Sequence, residues 1–390
     1  MVTPCPKVTG RRTGGPAGPP VDSQAMTSRR LLICLLACLL LASCAREQGS
    51  DPGGEATAGV DFHRFETPRE IATGLLDGMT PDGSGAYVEE PDPELSEPGC
   101  EGMPEPVMFR VPLTGGDRTV VGDQSRPLRG ALLRGGSQGR VAVISGCESF
   151  FTALFVAREI DNGTLAGVTE VTPAIPDDFV LSPASVSWSN DGVSLLGALR
   201  HVDGPDGEPS PVVSIDPDSG QITRLFDVEQ GFGVSGVGQL ENGEYVVSTD
   251  LAVTLRDSEG VVTAGFQSRN FEISPDRRRV AVYGNDVRLL SQGSTTATLV
   301  LDAAPGREVS AVRFAPAGGA VVIERSQPDG SRSELGIVTL DDRRYTSVVT
   351  GDQYGGAYFS GDGRALAFNR FGPAPDFTST VYLTRFEELE

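Results

Sequence analysis

One short unit recurs seven times along this 390-residue chain and constrains its fold more than any other feature. Each copy consists of an apolar run, a turn rich in Pro, Asn, Asp and Gly, and a second apolar run. The copies occupy residues 74–90, 130–145, 186–199, 237–250, 271–283, 312–325 and 357–370. Apolar runs joined by such turns are typical of antiparallel β-hairpins. Because no helical pattern is evident from residue 60 onward, we predict an all-β domain.

The spacing of the copies indicates how the hairpins are assembled. The turn glycine or its equivalent falls at positions 83, 139, 192, 243, 277, 318 and 363, at intervals of 34 to 56 residues. Each interval accommodates two more strands after the hairpin, such as 286–291 and 295–301 in the fifth copy. Four strands per repeat fit the blade of a β-propeller. We therefore predict a seven-bladed propeller of four-stranded blades over residues 60–390.

The ends of this domain predict how the ring closes. The seventh copy is followed by a third strand candidate, 379–386, and then the chain ends. The segment 60–66, before the first copy, is a strand candidate without a blade of its own. We expect it to complete the last blade, because a closed ring leaves no exposed sheet edge.

The turn sequences also resemble those of a known family. Ser274–Asp276 and Thr80–Gly83 match best, and the resemblance is to TolB-like propellers, a WD-repeat-like group. It covers about residues 60–390. The resemblance implies an interaction platform in the cell envelope, or a cover on a peptidase.

A second constraint lies upstream, in residues 26–43. Arg29 and Arg30 precede the apolar run Leu31–Leu41, and two small residues follow it. This order is that of a secretory signal peptide. The apolar run is shorter than the roughly 20 residues that a membrane-spanning helix needs. The chain is therefore expected to be exported.

Leu41–Cys44 resembles the lipobox of bacterial lipoproteins. The resemblance implies a diacylglyceryl group on the Cys44 sulfur and cleavage before that residue. Two acyl chains anchor a protein stably, whereas one does not. We expect a protein attached to the extracytoplasmic side of the cell membrane. Ser28–Arg30 partly resembles a twin-arginine export signal, whereas the strongly apolar run favours general secretion, and both routes remain open.

Residues 44–59 follow as a small, polar segment without periodicity. A flexible segment of about 16 residues has a root-mean-square span of roughly 20–25 Å. We interpret it as a tether between the lipid and the propeller.

The net charge excludes one class of partner, and the cysteine content indicates a disulfide. The chain has 32 basic and 53 acidic residues and a net charge of −21, which repels nucleic acid. We expect no nucleic-acid partner and a monomeric protein. After the signal peptide and Cys44, Cys100 and Cys147 remain, and an exported pair favours a disulfide over two free thiols.

The predicted loops differ between the two ends of the blades. The connections from second to third strands, 89–106, 200–210, 326–333 and 370–378, vary in length, whereas the hairpin turns stay short. Insertions on one face often mark a binding face. We expect this face to point away from the membrane, because the tether would enter from the hairpin-turn side.

The first of these loops is the candidate interaction segment for a basic partner. Its alternative is a solvated acidic loop without a partner. Its acidic residues are Glu89, Glu90, Asp92, Glu94, Glu97, Glu101 and Glu105.

No motif predicts a catalytic, cofactor or metal site. Gly231–Gly236 matches G-x-G-x-x-G but lies between strands, where a dinucleotide site requires a following helix. Asp216–Gly220 begins like a calcium loop but lacks its distal Glu, so we predict a hairpin turn. His63 and His201, the only histidines, lie in different repeats.

These observations favour a non-enzymatic envelope lipoprotein whose propeller binds a protein. A carbohydrate-active enzyme with carboxylates in the central channel is the first alternative. Converging carboxylates, one with a strongly raised pKa, would favour that enzyme. A small-molecule or peptide receptor is the second alternative.

Residues 1–25, rich in Gly and Pro, make little sense before a signal peptide. We interpret them as an extension from a misassigned start and expect translation to begin at Met26. Mass spectrometry of the precursor should therefore detect no peptide from residues 1–25. Detection of such a peptide would refute this start site.

Overall fold

The computed structural model describes most of the predicted propeller. The described residues are 60–90, 106–123, 126–128, 131–147, 150–159, 164–202, 208–229, 233–302, 305–327, 332–351, 353–372 and 378–388. They form strands and turns, with two short 3-10 turns at Ser137–Gly139 and Pro183–Ser185. Among these residues no helix is long and apolar enough to cross a membrane.

The first described strands are β1 (Val60–Phe65) and β2 (Arg69–Thr73), which belong to the last blade. Blade 1 contains β3 (Leu75–Met79), β4 (Gly85–Glu90), β5 (Val107–Pro112) and β6 (Thr119–Val120). A small hairpin follows, formed by β7 (Gly122–Asp123) and β8 (Arg126–Pro127). Blade 2 contains β9 (Ala131–Arg134), β10 (Arg140–Cys147), β11 (Phe150–Glu159) and β12 (Leu165–Val171).

Blade 3 contains β13 (Phe179–Leu181), β14 (Ser187–Trp188), β15 (Leu195–His201), β16 (Ser210–Ile215) and β17 (Ile222–Val228). Its first strand is divided, because β13 and β14 both pair with β15. Blade 4 contains β18 (Val234–Gln239), β19 (Tyr245–Thr249), β20 (Val253–Arg256) and β21 (Val262–Phe266). Blade 5 contains β22 (Asn270–Ile273), β23 (Arg279–Tyr283), β24 (Val287–Ser291) and β25 (Thr298–Leu301).

Blade 6 contains β26 (Glu308–Phe314), β27 (Ala320–Ser326), β28 (Ser333–Thr339) and β29 (Tyr345–Thr350). Blade 7 contains β30 (Gln353–Phe359), β31 (Ala365–Phe371) and β32 (Ser379–Glu388), with β1 and β2 as its outer strand. Strands within each blade run antiparallel in chain order from the centre outward. The first strand of every blade contacts those of both neighbouring blades, through β14 in blade 3. The predicted seven-bladed propeller is confirmed.

The ring closes as expected, over a longer segment than predicted. β1 pairs with β32, where Val60 lies opposite Glu388 and Phe65 opposite Phe386. The chain then bulges and continues as β2, from Arg69 opposite Leu383 to Thr73 opposite Thr380. The outer strand of blade 7 therefore reaches residue 73, whereas the prediction ended at residue 66.

All seven predicted turn positions have a left-handed backbone. Gly83, Gly139, Gly192, Gly243, Gly318 and Gly363 have φ values between 66° and 89°. Arg277 occupies the seventh position with φ 57°. This conformation is costly for a residue with a Cβ atom. The Arg277 guanidinium donates hydrogen bonds to the carbonyls of Trp188 and Gln239, which ties the turn to two other blades.

The hydrophobic core is divided among the blade interfaces. Seven clusters of buried apolar side chains occur in the described residues, one between each pair of adjacent blades. The cluster between blades 6 and 7 includes the closing strand. There Phe62 packs edge-on against Phe359 and Phe386, with ring centroids 5.8 and 5.2 Å apart. Closure of the ring is therefore an apolar packing contact as well as a strand pairing.

Replacing Phe62 by alanine tests whether this closure stabilises the whole ring. Phe62 is 4% exposed, and a buried Phe→Ala change costs about 3–5 kcal/mol of unfolding free energy. Urea unfolding can be followed through the fluorescence of Trp188, the single tryptophan, which is buried in blade 3. We expect Phe62→Ala to lower the unfolding midpoint at this distant probe. Leu251→Ala, at an exposed position, should change it little. An unchanged Trp188 transition in Phe62→Ala would show that closure is only local.

Candidate functional site

The strand directions define two faces of the ring. The loop face carries the connections from second to third strands and from blade to blade. The turn face carries the hairpin turns between first and second and between third and fourth strands. Val60 pairs at the end of β32, beside Glu388, so β1 begins at the turn face and β2 ends at the loop face.

The connections between second and third strands are strongly acidic. Between the observed strand ends they contain thirteen acidic residues and a single basic one, Arg332. The acidic residues are Asp92, Glu94, Glu97, Glu101, Glu105, Glu148, Asp203, Asp206, Glu208, Asp250, Asp286, Asp329 and Asp376. The turn-face connections contain fourteen acidic residues and six arginines, a net charge of −8 against −12 for the second-to-third connections. Charge therefore differs between the two sets of connections.

The aspartates of the turn face have a role in the fold. In four first hairpins an aspartate accepts a hydrogen bond from a hydroxyl two residues earlier and from an amide two residues later. These aspartates are Asp82, Asp191, Asp276 and Asp362. Hydrogen bonds from Ser189 and from the Val193 amide lower the pKa of Asp191. Such bonds stabilise the turn and favour the ionised carboxylate.

The structure describes only part of the predicted interaction loop. Glu89 and Glu90 lie in β4, so the loop begins after residue 90 rather than at 89. Both residues pair with β5, whose first residue, Val107, lies opposite Glu90. Glu90 forms an ion pair with Arg118. The remaining acidic residues of this loop, with Cys44 and Cys100, lie outside the described residues.

The other segments singled out in the sequence lie at strand ends, turns and blade connections of the propeller. Cys147 ends β10, at the loop face. Of the segment Gly231–Gly236, Gly233 precedes β18 and residues 234–236 lie within it, whereas residues 231–232 lie outside the described residues. Asp216–Gly220 forms the hairpin turn between β16 and β17, with Gly220 at φ 71°.

The two histidines lie in different blades. His201 ends β15, stacks on Phe179 and contacts Glu208 at 2.9 Å. His63 lies in β1 and bonds to the Thr346 hydroxyl in blade 6. Within the described ranges, no group of three or more His, Cys, Asp and Glu side chains is placed to hold a metal ion.

A charged cluster, not predicted from the sequence, lies on the first and second strands of blades 5 and 6 and on the first strands of blades 7 and 1. We call it the inner cluster. Its members are Asp77, Glu272, Tyr283, Arg313, Glu324 and Tyr358. They belong to β3, β22, β23, β26, β27 and β30, respectively. Glu272 and Arg313 keep 28% and 37% of their side-chain surface exposed, although protein surrounds them.

Arg313 is the central cation of this cluster. One of its guanidinium nitrogens lies 3.2 Å from Oε2 of Glu272. Its guanidinium carbon lies 5.5 Å from the ring centre of Tyr358. Burial acts to lower the pKa of Arg313, but the Glu272 carboxylate and the neighbouring tyrosines outweigh it and raise that pKa. Arg313 therefore remains charged within the ring.

Asp77 is a carboxylic acid of the inner cluster whose pKa is strongly raised. Burial, and next the Glu89 carboxylate, raise its pKa to about 8. The Leu132 amide of blade 2 donates a hydrogen bond of 2.8 Å to Oδ2 of Asp77, which acts in the opposite direction. Asp77 is therefore mainly protonated at neutral pH.

The carboxylates of the inner cluster connect neighbouring blades. Glu272 of blade 5 contacts Arg313 of blade 6, and Asp77 of blade 1 accepts from blade 2. Glu324 of blade 6 accepts a 3.2 Å hydrogen bond from the Ala357 amide of blade 7. Burial raises the pKa of Glu324 despite this bond. The contacts of Asp77 and Glu324 satisfy backbone amides on first strands, whose inner edges have no strand partner.

The sequence carries no local signal for this cluster. Its members are spread from residue 77 to residue 358, and only the ring brings them together. An acidic or basic residue inside a first-strand run is the one available clue, as at Asp77 in the run 75–79.

The comparisons with known proteins concern the fold. No family model matches the chain, and no curated protein matches its sequence. A solved structure of the Dos1 propeller is similar with a TM-score of 0.50 and 10% identity, over 82% of this chain and 94% of that one. The WD40 domain of Neurospora crassa Pan2 aligns with a TM-score of 0.48 and 12% identity, over 83% and 97% of the two chains. The likeness to the Dos1 propeller supports the propeller fold alone.

The raised pKa of Asp77 predicts a pH dependence of stability. The ordinary pKa of an aspartate is about 3.9, so between about pH 4 and pH 8 the folded state holds a proton that the unfolded state has lost. Stability therefore decreases with rising pH across this window, by up to about 1.4 kcal/mol per unit. In Asp77→Asn this contribution is absent, and the amide oxygen can still accept from Leu132. Urea unfolding should show a stability advantage of Asp77→Asn that is small near pH 4 and largest near pH 8.

Asp191→Asn is the matched control. The pKa of Asp191 is lowered, so the ionised Asp191 stabilises the folded state at pH values above the ordinary pKa of an aspartate. Asp191→Asn should therefore not stabilise the protein at pH 8. An advantage of Asp77→Asn that stays constant with pH would contradict the raised pKa.

Proposed function

We propose that this protein is a bacterial cell-envelope lipoprotein whose propeller binds a basic protein partner through its loop face. The observation that carries the proposal is the direction of β1. Because β1 begins beside Glu388, the segment that leads from Cys44 joins the propeller at the turn face. Lipid on Cys44 would therefore keep the turn face towards the membrane and leave the loop face accessible.

The anchor is supported by the chain before the propeller. The n-region, the short apolar run and Leu41–Cys44 occur in the order of a lipoprotein signal. A tether with a span of roughly 20–25 Å lets the ring rotate near the membrane without reversing its average orientation. The loop face is then the surface that meets other envelope components first.

The chemistry of the partner follows from charge. Thirteen acidic residues against one arginine make the second-to-third connections more negative than the turn-face connections, which hold fourteen acidic residues and six arginines. A negative potential attracts a basic surface and accelerates its association. Exposed apolar side chains on the same face, Val202 and Leu251, add contact area for a protein partner. The TolB-like turn sequences agree with an interaction platform.

The inner cluster agrees better with this platform than with a carbohydrate-active enzyme. The raised pKa of Asp77 fulfils one requirement of a general acid. However, Asp77, Glu272 and Glu324 each contact a neighbouring blade, through backbone amides or Arg313. Carboxylates with such partners hold the ring together, and glycoside cleavage needs two that face the substrate.

Photo-cross-linking at two matched positions tests the proposal. Leu251 and Val261 both lie in blade 4 and are 56% and 58% exposed, but they belong to the loop face and the turn face, respectively. A photoreactive residue at Leu251 of the full chain should capture an envelope protein, and one at Val261 should not. Raising the salt from about 0.05 M to about 0.5 M shortens the screening length about three-fold. It should reduce the capture at Leu251.

The anchor has its own control in Cys44→Ser, which should incorporate no labelled fatty acid. Equal capture from both positions would contradict the orientation. Recovery of no protein, together with turnover of envelope glycan by the same preparation, would favour the carbohydrate-active enzyme.

A further inference from the structure

A groove of about 500 Å³ lies between blades 2 and 3, away from the loop face. Its walls come from β10, β11 and β12 of blade 2 and from the β16–β17 turn of blade 3. The Val156 side chain provides a buried apolar part, and Arg140, Arg158 and Asp218 provide the charges.

Arg140 and Arg158 lie directly opposite each other on β10 and β11. Residues that pair in this way point to the same side of a sheet, with Cβ atoms about 5 Å apart. Two like charges in that position destabilise the sheet. An anion between or beside the two guanidinium groups would remove this repulsion.

One carboxylate of the chain already occupies part of this position. The Arg140 guanidinium donates to the Asp218 carboxylate through two nitrogens, at 2.7 and 3.3 Å. It also lies 5.9 Å from the ring centre of Trp188, which limits its movement. Arg140 is therefore oriented to receive a planar anion with two oxygens.

Arg158 is less fully satisfied. Its contact with the Gln138 side chain is long, at 3.4 Å. Ala166 lies opposite Arg158 on β12, and Gly167 follows with φ 64° and open space where a Cβ atom would be. These two small residues leave room beside the guanidinium.

From these contacts we infer that the groove between blades 2 and 3 binds a small anionic ligand, with a carboxylate or phosphate group held by Arg140 and Arg158. Asp218 is then an internal competitor, which pairs with Arg140 in the absence of ligand. The site is separate from the loop face, so it neither requires nor excludes the protein partner proposed above.

Ligand-detected NMR on the full chain in a non-ionic detergent tests this inference with three probes. N-acetylalanine carries a carboxylate, its amide is the uncharged match, and inorganic phosphate is the other anion. We expect saturable binding of at least one anion and none of the amide. The preferred anion identifies which of the two groups the groove takes.

Two variants should change the affinity in opposite directions. Arg158→Gln removes one charge-assisted hydrogen bond and should weaken anion binding about ten-fold. Asp218→Asn releases Arg140 and removes a like charge, so it should strengthen binding about ten-fold. Arg224→Gln is the matched control, because Arg224 lies in blade 3 outside the groove and pairs with Asp227. It should bind as the wild type does.

Asp218 is exposed on a turn, and its variant is expected to fold even if Arg158→Gln does not. Absence of anion binding in both the wild type and Asp218→Asn would overturn the inference. Equal binding of N-acetylalanine and its amide, or equal effects of all three variants, would also overturn it.

Discussion

The pairing of residues 60–73 with β32 is the contact on which the ring depends. Without it, β32 would be an exposed edge more than 30 Å long by the usual rise per residue, and blade 7 would have three strands. The pairing also brings Phe62 into the cluster between blades 6 and 7. Among the described residues, the seven apolar clusters each lie between two blades, so each blade is stabilised by contacts with its neighbours. We therefore expect loss of one interface to affect blades that do not touch the closing strand.

A propeller leaves one set of backbone groups unpaired, on the inner edge of each first strand. In blades 1, 2 and 7 side chains from neighbouring blades supply the missing acceptors. The fully buried Asn369 of blade 7 accepts from the Leu76 amide at 2.8 Å and donates to the Gly74 carbonyl at 2.9 Å. Asp77 and Glu324 accept from the amides of Leu132 and Ala357 in the same manner. The cost of burying these polar groups is offset because each bond also connects two blades.

The elements that could be predicted from the sequence are those with local causes. A turn such as Thr80–Gly83 contains its own hydroxyl, aspartate and positive-φ glycine, and the copy at Ser274 succeeds even with Arg277 in place of glycine. Residues 60–66 were identifiable because the blade count left one strand missing. By contrast, β2 follows a bulge after residue 65, and only pairing with β32 makes its sequence extended. The divided first strand of blade 3 likewise depends on β15, which pairs with both β13 and β14.

Side-chain clusters were not predictable for a related reason. Arg313 meets Glu272 and Tyr358 because three separate repeats place their first strands around one centre. Arg140 and Arg158 become neighbours through the register of β10 and β11, which the sequence does not specify to one residue. A one-residue slip would place them on opposite sides of the sheet. The predicted acidic loop had a compositional signal, whereas these sites had none.

Acidic residues occur both in the hairpin turns and in the connections between second and third strands, and those of the turns have a role in folding. In the turns of blades 1, 3, 5 and 7 an aspartate accepts hydrogen bonds that fix the turn, so its charge serves folding. The connections between second and third strands hold thirteen acidic residues against one arginine, and ten of the thirteen lie outside the described residues. Like charges at one face repel one another and reduce the stability of the folded state. The net charge is −12 in these connections and −8 in the turn-face connections, and the proposal of a basic partner rests on this difference.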